Sequence, residues 1–228
     1  MAEAAVKQSS TENRAAHRQH DLVRSVLERV KAEGRTSLTA PEGKLLCEAY
    51  GIAVPKEGVA KSASEAASLA AAMGYPVVLK IVSPDILHKT EAGGVLVGLK
   101  SEAEVTKGHA TILENARRYK PDARIEGIQV QQMLTGGQEV IVGAVTDGSF
   151  GKLVAFGLGG VLVEVLKDIT FRLGPVTRDE ALSMLDSIQA AEILKGVRGS
   201  EPVDRAALAD IIQKVSELVS DFPDIVEM

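Results

Sequence analysis

Tryptophan is absent from the 228 residues, and aromatic residues make up only 3% of them. A core built from this chain is therefore aliphatic. Base-stacking nucleic-acid modules need aromatic platforms, so that class is disfavoured. There is a single cysteine, Cys47. It excludes an intrachain disulfide and a multi-cysteine zinc site. Long hydrophobic runs are missing too. The longest, Leu153 to Val163, is far short of the roughly 20 residues that span a bilayer. The polar N-terminus has no apolar stretch of signal-peptide type. These gaps lead us to expect a cytoplasmic protein that binds neither nucleic acid nor membrane. The formal net charge of −5 agrees, because an acidic surface matches a phosphodiester backbone poorly. Small anionic ligands stay open, since a local site can be basic.

What is present is ordinary globular material, with 45% hydrophobic and 25% charged residues. Residues 1–20 lack an apolar period and read as a disordered tail. Leu22, Val23, Val26, Leu27 and Val30 recur at helical spacing up to Gly34. Thr39 and Glu42 read as a capping box on a second helix that stops at Gly51. Residues 21–52 thus form an N-terminal helical segment, and Ile52 to Pro55 an extended lead into the next unit. Ser62 with Glu65 and Ser101 with Glu104 cap two further helices. Between and after them lie the strands Val77–Val82 and Val95–Leu99, then one that begins at Ile128. That β-α-β-β-α-β order is a split α/β unit, placed at residues 53–128.

Residues 129–228 form a second lobe. Glu139–Val145, Lys152–Leu158, Val161–Val165 and Ile169–Leu173 have the hairpin spacing of an antiparallel sheet. Two helices follow, capped by Thr177 with Glu180 and by Asp204. The fold class is α/β (α+β) in two lobes, with N-terminal helices.

Lys80 lies within the apolar strand Val77–Val82. A buried ammonium needs an anion, which is either a structural glutamate or a ligand phosphate. The loop Ser83–Gly94 concentrates His88, Lys89, Thr90, Gly93 and Gly94. Glycines let backbone N–H groups approach phosphate. An imidazole near neutral pKa serves as acid, base or nucleophile, although a loop histidine is more often merely solvated. Gly157–Gly160 lacks the third glycine of a dinucleotide fingerprint and reads equally well as a tight turn. Glu139, Glu164 and Asp168 at strand ends, with Arg172 nearby, are weaker candidates for ribose or Mg²⁺ contacts. Spacing alone favours solvated ion pairs for them.

The run Gly74-Tyr75-Pro76-Val77-Val78-Leu79-Lys80, followed by Ser83-Pro84-Asp85-Ile86-Leu87-His88-Lys89, carries a resemblance. So do Gly93-Gly94-Val95, Pro121 to Gly127, Gly137 to Gly143, Phe156 to Gly160, Glu164 to Asp168 and Asp221-Phe222-Pro223. From about Leu38 onward the chain resembles the ATP-grasp subunit or domain of NDP-forming acyl-CoA synthetases. These include ADP-forming acetate–CoA ligases and are similar to succinyl-CoA synthetase. The resemblance implies a two-lobe ATP-grasp fold with nucleotide held between the lobes, and ATP or ADP with Mg²⁺ as cofactors. It implies Lys80 at the phosphates, where the loop's own residues add Lys89, Gly93 and Gly94 as nucleotide-binding candidates; it implies Gln131, Gln132 and Met133 at adenine, and Glu139 at the ribose. It implies His88 as a transient phosphate carrier. The reaction would be acyl-CoA + ADP + phosphate = acid + CoA + ATP, run with a CoA-binding partner in a hetero- or homo-oligomer. The family's metal ligands sit in an Asp-x-Asn-Pro segment, which would fall beyond Met228. The second lobe is therefore expected to be truncated. The alternative expectation is a nucleotide-binding regulatory or assembly subunit without catalysis.

Overall fold

The computed structural model describes residues 18–160, 167–197 and 201–228. The expected tail at 1–17 and the expected strand Val161–Val165 lie outside the described residues. Residues 18–20 are already helical. The chain divides into two units, one of residues 1–49 and 53–135, the other of 50–52 and 136–228.

In the first unit, α1 (18–32) and α2 (Ala40–Ala49) precede β1 (Glu57–Ala60), α3 (Ala63–Met73), β2 (Val77–Val82), β3 (Val95–Leu99), α4 (Glu102–Tyr119) and β4 (Gly127–Gln132). The sheet order is β1-β4-β2-β3, antiparallel throughout. The first strand, not delimited from sequence, is Glu57–Ala60. Two expectations change. The division falls after Thr135 rather than after residue 128, because β4 is hydrogen-bonded between β1 and β2. Residues 21–49 also join this unit instead of standing apart.

Alternation in the strands sorts residues to two faces. Leu79, Ile81, Ile128 and Val130 pack with Ala66, Ala70, Val105, Ile112 and Ala116 of α3 and α4. Gly108 lets α4 come close, since a Cβ there would lie 3.1–3.2 Å from side chains of Leu96, Leu79 and Leu99. The opposite face carries Lys80, Gln129 and Gln131, which the register places in phase.

The helix starts follow the expected chemistry with one variation. Thr177 and Glu180 cap reciprocally. At Ser62 and Ser101 the hydroxyl accepts from the Glu65 and Glu104 amides. Each glutamate reaches one residue further back, to the amide of Lys61 or Lys100 at 2.7 Å. Thr39 donates both its amide and its hydroxyl to Glu42. Glu42 is buried and also takes two hydrogen bonds from the Arg35 guanidinium at 2.7 and 2.8 Å.

The second unit holds β5 (Val140–Asp147), β6 (Gly151–Leu158), β7 (Ile169–Leu173), α5 (Arg178–Ser187), a 3₁₀ turn at Ala191–Lys195 and α6 (Arg205–Asp221). The sheet is antiparallel in the order β5-β6-β7. Val154, Phe156 and Leu158 pack with Ala181, Met184, Leu185, Ala209 and Ile212 of α5 and α6. Residues 226–228 add to the free edge of β5, with Met228 and Ala144 exchanging hydrogen bonds. The Lys152 ammonium holds the approach to that edge by donating to the carbonyls of Pro223 and Ile225. Tyr50–Ile52 belongs here. The Tyr50 hydroxyl donates to Asp221 at 2.5 Å, and Lys214 donates to the Gly51 carbonyl at 2.8 Å. Ile52 packs on Ala144, Val215 and Val219. Among the described residues no helix is long and apolar enough to cross a membrane.

Candidate nucleotide site

Lys80 occupies the middle of β2, where its neighbours Leu79 and Ile81 are fully buried and its own stem is half-buried. Its ammonium donates to Gln131 Oε1 at 2.7 Å. Gln131 in turn donates to Glu57 Oε2 at 3.0 Å. Among the described residues Lys80 forms no direct ion pair; the carboxylate is one side chain removed. Burial pushes the Lys80 pKa below its usual value, Glu57 partly restores it, and Lys89 lowers it further. Lys89 is therefore close enough for its charge to be felt. The Lys89 charge disfavours the Lys80 ammonium, and a bound polyanion would relieve that repulsion.

The loop Ser83–Gly94 is fastened at both ends. Ile86 and Ala92 lie in the core. Asp85 accepts the Arg124 amide at 2.6 Å, and Asn115 donates to the Gly93 carbonyl at 3.0 Å. Gly93 has φ +60°, and a Cβ there would stand 2.8 Å from Asn115. Gly94 is needed for space instead: a Cβ would meet Ile81 at 2.6 Å and the Lys89 carbonyl at 3.0 Å. The tip, with His88 exposed and Lys89 half-buried, projects from this frame.

The residues at the end of β4 separate by face. Gln131 shares the Lys80 face, while Gln132 pairs with Val77 on the other. The Gln132 amide is spent on the Lys56 carbonyl at 2.8 Å and the Met133 amide on the Pro76 carbonyl at 3.4 Å.

In the second unit Glu139 is exposed at the start of β5, and its side chain lies over the Gly157–Gly160 segment. A Cβ on Gly160 would come 2.9 Å from Glu139 Oε2, and one on Gly159 3.0 Å from Glu139 Cβ. On Gly157 it would come 2.6 Å from the Asp168 carbonyl. These glycines serve close packing between strand ends. Two weaker candidates are engaged elsewhere. Asp168 is 4% exposed, and its two oxygens accept the amides of Gln189 at 2.7 Å and Ala190 at 2.8 Å, which fixes the 3₁₀ turn. Arg172 donates to Thr170, Ser183 and Ser187 and ties β7 to α5. Glu164 lies outside the described residues. Among the described residues no three His, Cys, Asp or Glu side chains cluster as a metal site.

Two residues of the Lys80 face were not singled out from sequence. Glu57 lies in a short polar stretch, and its strand pairing is not visible locally. Gln129 alternates with Ile128 and Val130, and that period-2 pattern was the signal for it.

The ATP-grasp domain family model matches residues 29–228. The chain belongs to this family. It is 49% identical over 205 residues to the beta subunit of acetate–CoA ligase [ADP-forming] I of Pyrococcus furiosus, covering 90% of this chain and 88% of that subunit. It is 45% identical to 4-hydroxybutyrate–CoA ligase [ADP-forming] of Nitrosopumilus maritimus, again over 90% of this chain but only 29% of the relative. The chain thus spans most of a separate beta subunit and less than a third of a single-chain ligase. Among solved structures it matches the dinucleotide-forming acetyl-coenzyme A synthetase 1 of Ca. Korarchaeum cryptofilum, in complex with coenzyme A, Ca-AMPCP and HgCl⁺. The TM-score is 0.86 with 43% identity, covering 90% of this chain and 89% of that one. A second structure of that protein holds coenzyme A and Mg-AMPPCP, with its phosphohistidine segment pointing towards the nucleotide site. It matches with TM-score 0.74 and 39% identity, over 86% of this chain and 84% of that one. The chain is accordingly the counterpart of the ATP-grasp part of ADP-forming acid–CoA ligases.

Proposed function

We propose that this ATP-grasp chain binds ADP and ATP and passes a phosphoryl group to and from the nucleotide, as one component of an ADP-forming acid–CoA ligase. A CoA-binding subunit or domain supplies the acyl chemistry. The observation that carries this reading is Lys80, a half-buried ammonium that feels the Lys89 charge and has no direct ion pair among the described residues. A point charge on a flexible stem suits phosphate oxygens. Lys80 and Lys89 hold the phosphates, with backbone amides at Gly93 and Gly94. The segment Gln131–Met133 takes adenine, and Glu139 takes the ribose hydroxyls.

His88 carries the phosphoryl group. In the ATP-forming direction, ADP's terminal oxygen attacks the phosphorus on the His88 imidazole. The N–P bond breaks as the new O–P bond forms, and the imidazole leaves neutral after taking a proton. Splitting one long transfer into two short ones is the gain from the covalent intermediate. Mg²⁺ accompanies the nucleotide analogue in a relative's structure.

The test uses the chain assembled with its CoA-binding partner. On incubation with γ-labelled ATP and Mg²⁺, an acid-labile, base-stable phosphate is expected on His88. His88→Ala removes that label and the turnover, and leaves ADP affinity within about tenfold. Normal turnover by the His88→Ala complex would refute the relay. ADP binding without any label in the wild-type assembly would favour the regulatory reading.

A further inference from the structure

Gln129 stands directly opposite Lys80 in the β2–β4 register. It is 2% exposed, and its side-chain oxygen is buried without a hydrogen-bond partner. Native structures carry few such orphans, and each asks for an explanation. Phosphate cannot satisfy this atom, because phosphate oxygens are acceptors as well. The missing group is a donor. The Lys80 ammonium offers three N–H groups, of which Gln131 Oε1 takes one. Side chains directly opposed across an antiparallel pair have Cβ atoms about 4.5–5.5 Å apart. A four-carbon stem spans that gap. Gln131 sits on the diagonal, opposite Val78.

We propose that Gln129 is a second station for the Lys80 ammonium. In the structure Lys80 leans to Gln131, with the Glu57 carboxylate behind it. A bound phosphate supplies a nearer negative charge. The ammonium then turns towards it and donates a second N–H to Gln129 Oε1. Gln129 is a positioning residue: it aims Lys80 and does not itself touch the nucleotide. The inference rests on the nucleotide reading above.

Gln129→Met keeps the side-chain length and removes the acceptor. ADP and adenosine are titrated separately by calorimetry against wild type and variant, and melting temperatures are taken without ligand. ADP affinity is expected to fall about 10- to 150-fold, the scale of one hydrogen bond to a charged group. Adenosine, which lacks phosphate, should bind equally to both. The ligand-free variant should melt no lower than wild type, because an orphaned acceptor is gone. A general packing defect would weaken both ligands and lower the melting temperature. Unchanged ADP affinity, or equal losses for ADP and adenosine, overturns the second station. Gln129→Glu is the companion variant. A carboxylate opposite Lys80 holds the ammonium away from phosphate, so ADP binding falls while adenosine binding persists. Unchanged ADP affinity there also overturns the idea. A wild-type chain that binds no ADP would instead overturn the nucleotide reading itself.

Discussion

Replacing Lys80 by methionine separates ligand binding from folding. The methionine keeps the aliphatic stem packed beside Leu79 and Ile81 and deletes the ammonium. In the ligand-free chain two effects oppose each other. The Gln131 hydrogen bond at 2.7 Å is lost, a loss of about 1.5–3 kcal/mol for a bond to a charged group. The desolvation of a half-buried ammonium is relieved at the same time. Stability should therefore move by only about 1 kcal/mol. Binding has no such compensation. A charge-assisted contact to phosphate in a partly buried site contributes about 2–4 kcal/mol. The expected loss in ADP affinity is thus about 30- to 1000-fold.

Calorimetric titration of ADP reads this directly, with thermal unfolding as the control. The pH dependence adds a second readout. Burial and Lys89 hold the Lys80 pKa below its usual 10.5. Wild-type ADP affinity should decline as pH rises through that lowered value, and the Lys80→Met variant should lack this step. Stability runs the other way for this group. Its folded pKa is depressed, so its contribution is full above the unfolded value and lost as pH falls through the folded one. A folded variant that binds ADP within threefold of wild type would reduce Lys80 to a structural partner of Gln131 and Glu57.

Two further outcomes follow from the carboxylates. Arg35 and the Thr39 amide hold Glu42 at a pKa of about 2, against an ordinary 4.5. Glu42 therefore adds about 3 kcal/mol at neutral pH, present above 4.5 and lost as pH falls towards 2. Thermal unfolding at pH 7 and pH 3 should show Glu42→Gln lower than wild type at pH 7 with the gap roughly halved at pH 3; parallel curves would refute this. Asp168→Asn should lose about 1–3 kcal/mol of stability, because one of two buried amides loses its acceptor. ADP affinity should stay within threefold. A tenfold loss of affinity at unchanged stability would return Asp168 to the ligand set.

Most of the fold was legible because its signals are local. Val77–Val82 is an apolar run of strand length, and the starts at Ser62, Ser101, Thr177 and Asp204 all cap helices. Glu57–Ala60 was not legible, since a four-residue edge strand containing Gly58 exists only by pairing with β4. Lys80 stood out by its apolar context. Its partner did not, because Gln131 reaches it diagonally from a strand some fifty residues on. The partners of Asp168 were hidden for a similar reason. Nothing near it in sequence announces the amides of Gln189 and Ala190 that occupy its oxygens. Recognition of the ATP-grasp pattern rested on many ordered segments, and the family match over residues 29–228 agrees with it.

Tyr50–Ile52 bears on how this protein can be dissected. A gene fragment encoding 136–228 looks like a natural boundary for the second unit, yet that unit is not one continuous stretch of chain. The fragment would lack Ile52 over Ala144, Val215 and Val219, and would leave Asp221 and Lys214 without Tyr50 and Gly51. Its core would open to water at that seam, and the peptide would be prone to self-association. A circularly permuted design that fuses 50–52 back onto the fragment would close the seam, whereas moving the cut a few residues either way would not.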